Sequence, residues 1–232
     1  MNHGYEASLV KRVVNQLVAG IINGDYADHV LPPQVILSKT HGVSRAIMRE
    51  AISILVSRRM LDVRTKTGTR ITPSRDWLII DHEVADWRLR ATPDPEYLHG
   101  LIAFRKLVDP RAAAFAAARA SRHQRIAITA MYQNLQRTRG DQVAQEAAED
   151  ALQAAIIEAS GDPLLRQMGS IVRMGLRAMQ AAPRMQRHSH DAWLADYGKV
   201  VRAIEGGDAE RAESAMMRLV THSADLLRGE AV

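Results

Sequence analysis

The stretch LPPQVILSKTHGVSRAIMREA, residues 31–51, decides how this chain is built. Val35, Ile36 and Leu37 open a short helix that ends at His41-Gly42, where glycine suits a tight turn between two helices. Ser44 is placed as the N-cap of the next helix, because its side-chain oxygen can take a backbone N–H that the first turn leaves unpaired. Ile47, Met48, Ala51, Ile52 and Leu55 recur at helical spacing and form the apolar face of that helix. Arg45 and Arg49, four residues apart, remain on its exposed face near the N-terminus, the end from which recognition helices reach base edges.

Working outward, Leu9, Val10, Val13, Val14, Leu17, Val18, Ile21 and Ile22 describe one amphipathic helix, and Gly24 stops it. On the other side, Met60 to Val63 and Thr69 to Thr72 are two short β-type runs around Arg64-Thr65-Lys66-Thr67-Gly68. A hairpin with a basic, glycine-bearing tip fits a wing beside a groove. Residues 1–75 hold 11 Lys+Arg against 5 Asp+Glu, whereas the remainder holds 20 against 21. A basic third on a near-neutral body points to a polyanion partner for that third, since lysine and arginine gain affinity by releasing counterions from phosphates. The competing reading is a small protein-binding module whose arginines are merely solvated. Order, spacing and charge together favour DNA.

These pieces also carry a resemblance. Leu31-Pro32-Pro33, Gly42-Val43-Ser44-Arg45, Arg49-Glu50-Ala51 and Lys66-Thr67-Gly68-Thr69 resemble the winged helix-turn-helix of the GntR family of bacterial transcription regulators, over about residues 6–74. The resemblance implies that Ser44, Arg45 and Arg49 meet the major groove and its flanking phosphates, while Lys66, Thr67 and Gly68 place the wing in the minor groove. One departure stands out. The family usually has an acidic residue and an arginine where this chain has Gln34 and Val35, so one expected arginine contact is missing and the operator sequence cannot be copied from relatives.

Composition frames the rest. The 232 residues are 47% apolar with 4% aromatics and no cysteine, which excludes disulfide frameworks, thiolate nucleophiles and sulfur-based zinc sites and favours a helical protein. No apolar run reaches membrane-spanning length, so the chain is expected to be soluble and cytoplasmic, with no membrane partner. The expected architecture is mainly α: a winged helix-turn-helix over 1–75, then an all-α antiparallel bundle of six or seven helices over 76–232. Trp77 to Leu89 mark a linker and a short helix that Thr92-Pro93-Asp94-Pro95 ends. A long helix follows from about Glu96 to Ala120, kinked or restarted at Pro110. Further periodic stretches fall near 122–139, 146–159, 163–181, 190–205 and 208–228.

Arg105-Lys106-Leu107-Val108-Asp109-Pro110, Glu158-Ala159-Ser160-Gly161-Asp162-Pro163-Leu164 and Ala203-Ile204-Glu205-Gly206-Gly207-Asp208-Ala209 resemble the helical effector domain of the FadR-type subgroup of GntR regulators. Trp77 to Trp87, with Asp81 and Asp86, resembles its sugar-acid-responsive members. The resemblance implies a bundle that dimerises and binds a small carboxylate. Many members hold a divalent metal on an Asp and a His four apart plus two later histidines. The corresponding positions here are Glu149, Gln153, Tyr197 and a place near Leu219, with His222 the closest histidine. Glutamine, tyrosine and leucine are poor ligands for such ions, so no cofactor or metal is expected. A site rebuilt around His222, His188 or His190 is the alternative. The resemblance implies that Arg105 faces the pocket where sugar-acid sensors carry an effector-binding arginine, and its planar fork suits a carboxylate held in two parallel hydrogen bonds. A structural ion pair is the competing role for it. Glu149, Gln153, Tyr197 and His222 are expected to line the same pocket.

No G-x-S-x-G, P-loop, H-E-x-x-H or post-strand G-x-G-x-x-G motif is present, and His188-Ser189-His190-Asp191 is too contiguous to be a triad, so no enzyme is expected. The expected function is a dimeric, DNA-binding regulator, a repressor of a catabolic operon, that reads a near-palindromic operator and answers to a sugar acid. Two alternatives remain: a DNA-architectural protein without a small ligand, and a metal-dependent carboxylate sensor.

Overall fold

The computed structural model describes residues 3–64, 68–90, 95–180 and 190–228. The chain forms two compact units, 1–93 and 94–232.

The N-terminal unit begins with α1 (His3–Asn23), followed by α2 (Gln34–Thr40) and α3 (Arg45–Ser57). Two punctuation points were readable as glycines. Gly24 and Gly42 take φ +75° and +62°, a region that costs a side-chain-bearing residue strain, and each ends a helix. Strands β1 (Leu61–Arg64) and β2 (Gly68–Ile71) pair antiparallel with Leu61 opposite Ile71 and Arg64 opposite Gly68. Val30 bridges to Arg70 from outside this hairpin, and the Leu31 N–H donates to the Thr69 carbonyl at 2.9 Å. The wing is thereby tied to the segment that leads into α2.

Helix α4 (His82–Arg90) belongs to this unit by packing. Trp77, Val84 and Trp87 share one core with Val13, Leu17, Met48, Leu55 and Met60. Arg58, just past α3, fastens the segment. Its Nε donates to Asp81 at 3.1 Å, an Nη donates to Glu83, and its guanidinium lies 5.0 Å from the Trp87 ring centre. Asp81 also caps α4 by accepting from the N–H groups of Glu83 and Val84. The expected division after residue 75 therefore follows the motifs, while packing divides the chain near residue 93.

The second unit contains six helices among the described residues: α5 (Pro95–Arg119), α6 (Arg122–Arg137), α7 (Gln142–Ala159), α8 (Pro163–Gln180), α9 (His190–Glu205) and α10 (Ala209–Arg228). Their ends sit close to the breaks read in the sequence. Ser121 and Gln124 form a reciprocal cap at α6, Asp141 caps α7, and Asp162 accepts from Leu164 and Leu165 at the start of α8. Helix α5 is one element that runs through Pro110. It lies against α7, α8, α9 and α10, and its buried Ala113, Ala116 and Ala117 present little side chain to the core they share with Leu152, Tyr197 and Met216. No described helix is long and apolar enough to cross a membrane.

Candidate nucleic-acid interface and buried polar cluster

Helix α3 is oriented by the face it buries. Met48, Ala51, Ile52 and Leu55 are sealed in the core, so Arg45 and Arg49 emerge on the opposite side. Ser44 Oγ accepts from the Ile47 N–H at 3.3 Å, which fixes the first turn and leaves its O–H to donate outward. Among the described residues neither Arg45 nor Arg49 is engaged in an ion pair, so both guanidinium groups face solvent uncompensated. Gly68 opens β2 at φ +80° on an exposed edge, and Lys66 and Thr67 lie outside the described residues. Val35, standing where the family carries an arginine, is exposed on α2 beside the still more exposed Ile36.

In the second unit, residues far apart in sequence converge on one sealed polar cluster. Arg105 on α5 donates from Nε to Asp109 Oδ2, one turn later, at 2.8 Å. Tyr197 on α9 donates its hydroxyl to Glu149 Oε1 on α7 at 2.7 Å. Arg105, Asp109, Glu149, Gln153 and Tyr197 are all at least nine-tenths buried. Burial works against the Arg105 charge, yet the Asp109 and Glu149 carboxylates around it hold the guanidinium protonated more firmly than usual. Burial pushes the Asp109 carboxyl up, with Arg105 and Gln153 pulling the other way. Burial first, and the Glu149 charge second, raise the Tyr197 hydroxyl well above its ordinary range, so it stays a donor.

The cluster is incompletely paired. Gln153 faces the Asp109 carboxyl, but neither of its amide atoms, nor Asp109 Oδ1, has a protein partner in hydrogen-bond geometry. A buried polar atom left so costs about 1–3 kcal/mol, so such groups mark a place where a polar molecule would be welcome.

Four residues expected at the pocket, Arg105, Glu149, Gln153 and Tyr197, are thus neighbours. His222 on α10 is less buried than these four. Its Nδ1 is 3.3 Å from Asp196 Oδ2 and 39% of its side chain is exposed. His188 lies outside the described residues, as does the side chain of His190. Among the described residues no group of three His, Cys, Asp or Glu side chains is arranged to hold a metal ion. Asp109 and Trp193 were not anticipated. Asp109 had a signal, its spacing of four from Arg105. Trp193, packed edge-on against Tyr197 with ring centres 5.2 Å apart, had none. Arg177 pairs with Asp150 at 3.0 Å.

A winged helix-turn-helix with an exposed arginine face, followed by a helical bundle with a polar interior, is the build of a DNA-binding transcription regulator. Residues 9–71 match the gntR family of bacterial regulatory proteins and residues 100–222 match the FCD domain. The chain belongs to the GntR family of transcription regulators, in the branch that carries an FCD effector domain. It is 25% identical to the galactonate operon transcriptional repressor of Escherichia coli K12 over 94% of this chain and 96% of that one. It is 26% identical to the HTH-type regulator YieP of the same organism over 68% of this chain and 70% of the other. The fold is shared with solved structures of Lar, which controls the agr system of Listeria monocytogenes (TM-score 0.61, 16% identity, covering 95% and 96% of the two chains), and of E. coli McbR/YncC (TM-score 0.54, 18% identity, 96% and 98%).

Proposed function

We propose that this regulator is a homodimeric repressor of a catabolic operon, released or engaged by a small carboxylate of the sugar-acid class. The observation that carries this reading is the sealed cluster around Arg105, a buried guanidinium beside an unpartnered amide in the interior of the effector domain. A buried arginine is suited to a planar anion, and buried amide and carboxylate oxygens are suited to hydroxyl groups, a combination a sugar acid supplies in one molecule. The similarity to a repressor named for galactonate supports the same class.

In this reading Ser44, Arg45 and Arg49 meet the major groove of each half-site, and Lys66, Thr67 and Gly68 set the wing on the minor groove. Two copies reading two half-sites call for a near-palindromic operator. Effector and operator then influence each other by the effector's differential affinity for the DNA-competent state.

The test is a thermal-shift screen of the full chain against hexonates, hexuronates and short hydroxy acids, with the parent sugars as uncharged controls. A saturable shift confined to acids, together with altered retention of DNA selected by the protein from a random pool, is expected. A protein that selects a DNA sequence yet responds to no acid would be an architectural or ligand-independent regulator.

A further inference from the structure

We infer that Asp109 acts as a built-in competitor of the effector: in the unliganded protein its carboxylate occupies the Arg105 guanidinium that an acid must take over. The inference rests on the carboxylate reading above and assigns a role to a residue outside that reading.

The argument is one of charge and occupancy. The cluster holds one cation, Arg105, and two carboxylates, Asp109 and Glu149, with Gln153 and Tyr197 neutral. Glu149 has its own donor in the Tyr197 hydroxyl, so it is satisfied without Arg105 Nε. Asp109 depends on Arg105 for its one hydrogen bond of good geometry, and its second oxygen has no protein partner. An entering acid brings a third carboxylate to a single guanidinium, in a sealed volume where unbalanced charge is expensive. The arrangement relaxes if Asp109 gives up Nε. Gln153, which already faces the Asp109 carboxyl with an unpaired amide, is the neighbour that can receive it. The affinity for an acid is then set by how strongly Asp109 competes, and Asp109 is the residue that tunes the response threshold.

The sign of one substitution separates this role from a supporting one. Asp109→Asn keeps an oxygen that can accept from Arg105 Nε but removes the competing charge. Wild type and Asp109→Asn, both full length, are titrated calorimetrically with D-galactonate, D-gluconate and lactate, with D-galactose as the uncharged probe. The expected result is that Asp109→Asn binds the acids about tenfold tighter or better, with galactose unaffected. Weaker acid binding by the variant would mean that Asp109 serves to position Arg105, and overturns the inference while leaving the carboxylate reading intact. Failure of every acid to bind either protein overturns both. A second readout needs no variant: the Arg105 Nε–H resonance of wild type should move when the acid binds, because its partner changes. An unmoved resonance with acid bound overturns the inference even where Asp109→Asn does not fold.

Discussion

Arg105 and Asp109 stand one helical turn apart on α5 and share a hydrogen bond of 2.8 Å, with side chains 2% and 0% exposed. A pair sealed to this degree is fragile to the loss of either member. Arg105→Ala leaves the Asp109 carboxylate buried without its cation, and the bundle should lose about 3–5 kcal/mol of stability. Removing Asp109 as well should restore part of that loss, since the uncompensated charge goes with it. Chemical denaturation of the two single variants and the double variant measures the coupling. Additive losses would mean that the two groups do not depend on each other. Arg105→Lys should keep more of the fold but only part of any acid response, because a point charge lacks the two-pronged contact.

The DNA interface is predicted to behave differently, because its arginines are outside the core. Arg45→Ala and Arg49→Ala should each weaken operator binding by about 1–3 kcal/mol at fixed salt. Melting temperatures should stay within error of wild type, since the α3 core face of Met48, Ala51, Ile52 and Leu55 is untouched. Gel-shift titrations and thermal melts on the same preparations check both halves of this expectation.

Packing predicts where the DNA-binding unit can be cut. A fragment 1–75 lacks Trp77, Val84 and Trp87, which complete the core of α1 and α3. Each such side chain contributes about 1.5–3 kcal/mol by burial, so this fragment should be largely unfolded, whereas 1–93 should melt cooperatively. Circular dichroism of the two fragments decides it, and equal stability would show that α4 is dispensable.

Acid should loosen α4 before the rest of this unit. Burial opposes ionisation of Asp81, but the Val84 N–H and Arg58, with the Glu83 N–H, outweigh it and hold the carboxyl below its ordinary value of 3.8. A carboxylate with a lowered folded value stabilises fully above that ordinary value, and the contribution disappears as pH falls through the lowered one. In a Trp193→Phe background, the fluorescence of Trp77 and Trp87 should report a transition below pH 3.8. Asp81→Asn should be less stable at neutral pH and should lose that acid-dependent step.

Much of this was legible from local chemistry. Ser44 as a cap, Gly24 and Gly42 as stops, and the period of α6, α8, α9 and α10 are encoded within a few residues, and the structure realises them. The convergence of Arg105, Glu149, Gln153 and Tyr197 was reachable only through the resemblance to the FadR-type effector domain, which marks these positions as facing one pocket. What was hidden depends on contacts between distant elements. The Arg105–Asp109 spacing is visible, but a spacing of four does not disclose that both side chains are sealed. The family's last metal position falls near Leu219, with His222 the closest histidine, and only the packing of α9 on α10 shows that His222 meets Asp196. The allegiance of α4 rests on Trp77 and Trp87 joining a core built by α1, α3 and β1, and no periodicity within 77–90 reveals that. Pro110 reads as a kink or a restart, and α5 is one helix with Pro110 inside it.

Gln153 has an implication for how such a protein changes over generations. Its amide is buried with neither atom paired, a position where leucine would remove an unsatisfied donor and acceptor and add apolar contact. On the proposed carboxylate reading, a laboratory lineage selected for heat resistance alone should discard this glutamine early and gain robustness as it loses its response to acids. A lineage selected for responsiveness should keep it and stay heat-sensitive. Retention of the less stable side chain under alternating selection would record, in one residue, what sensing costs the fold.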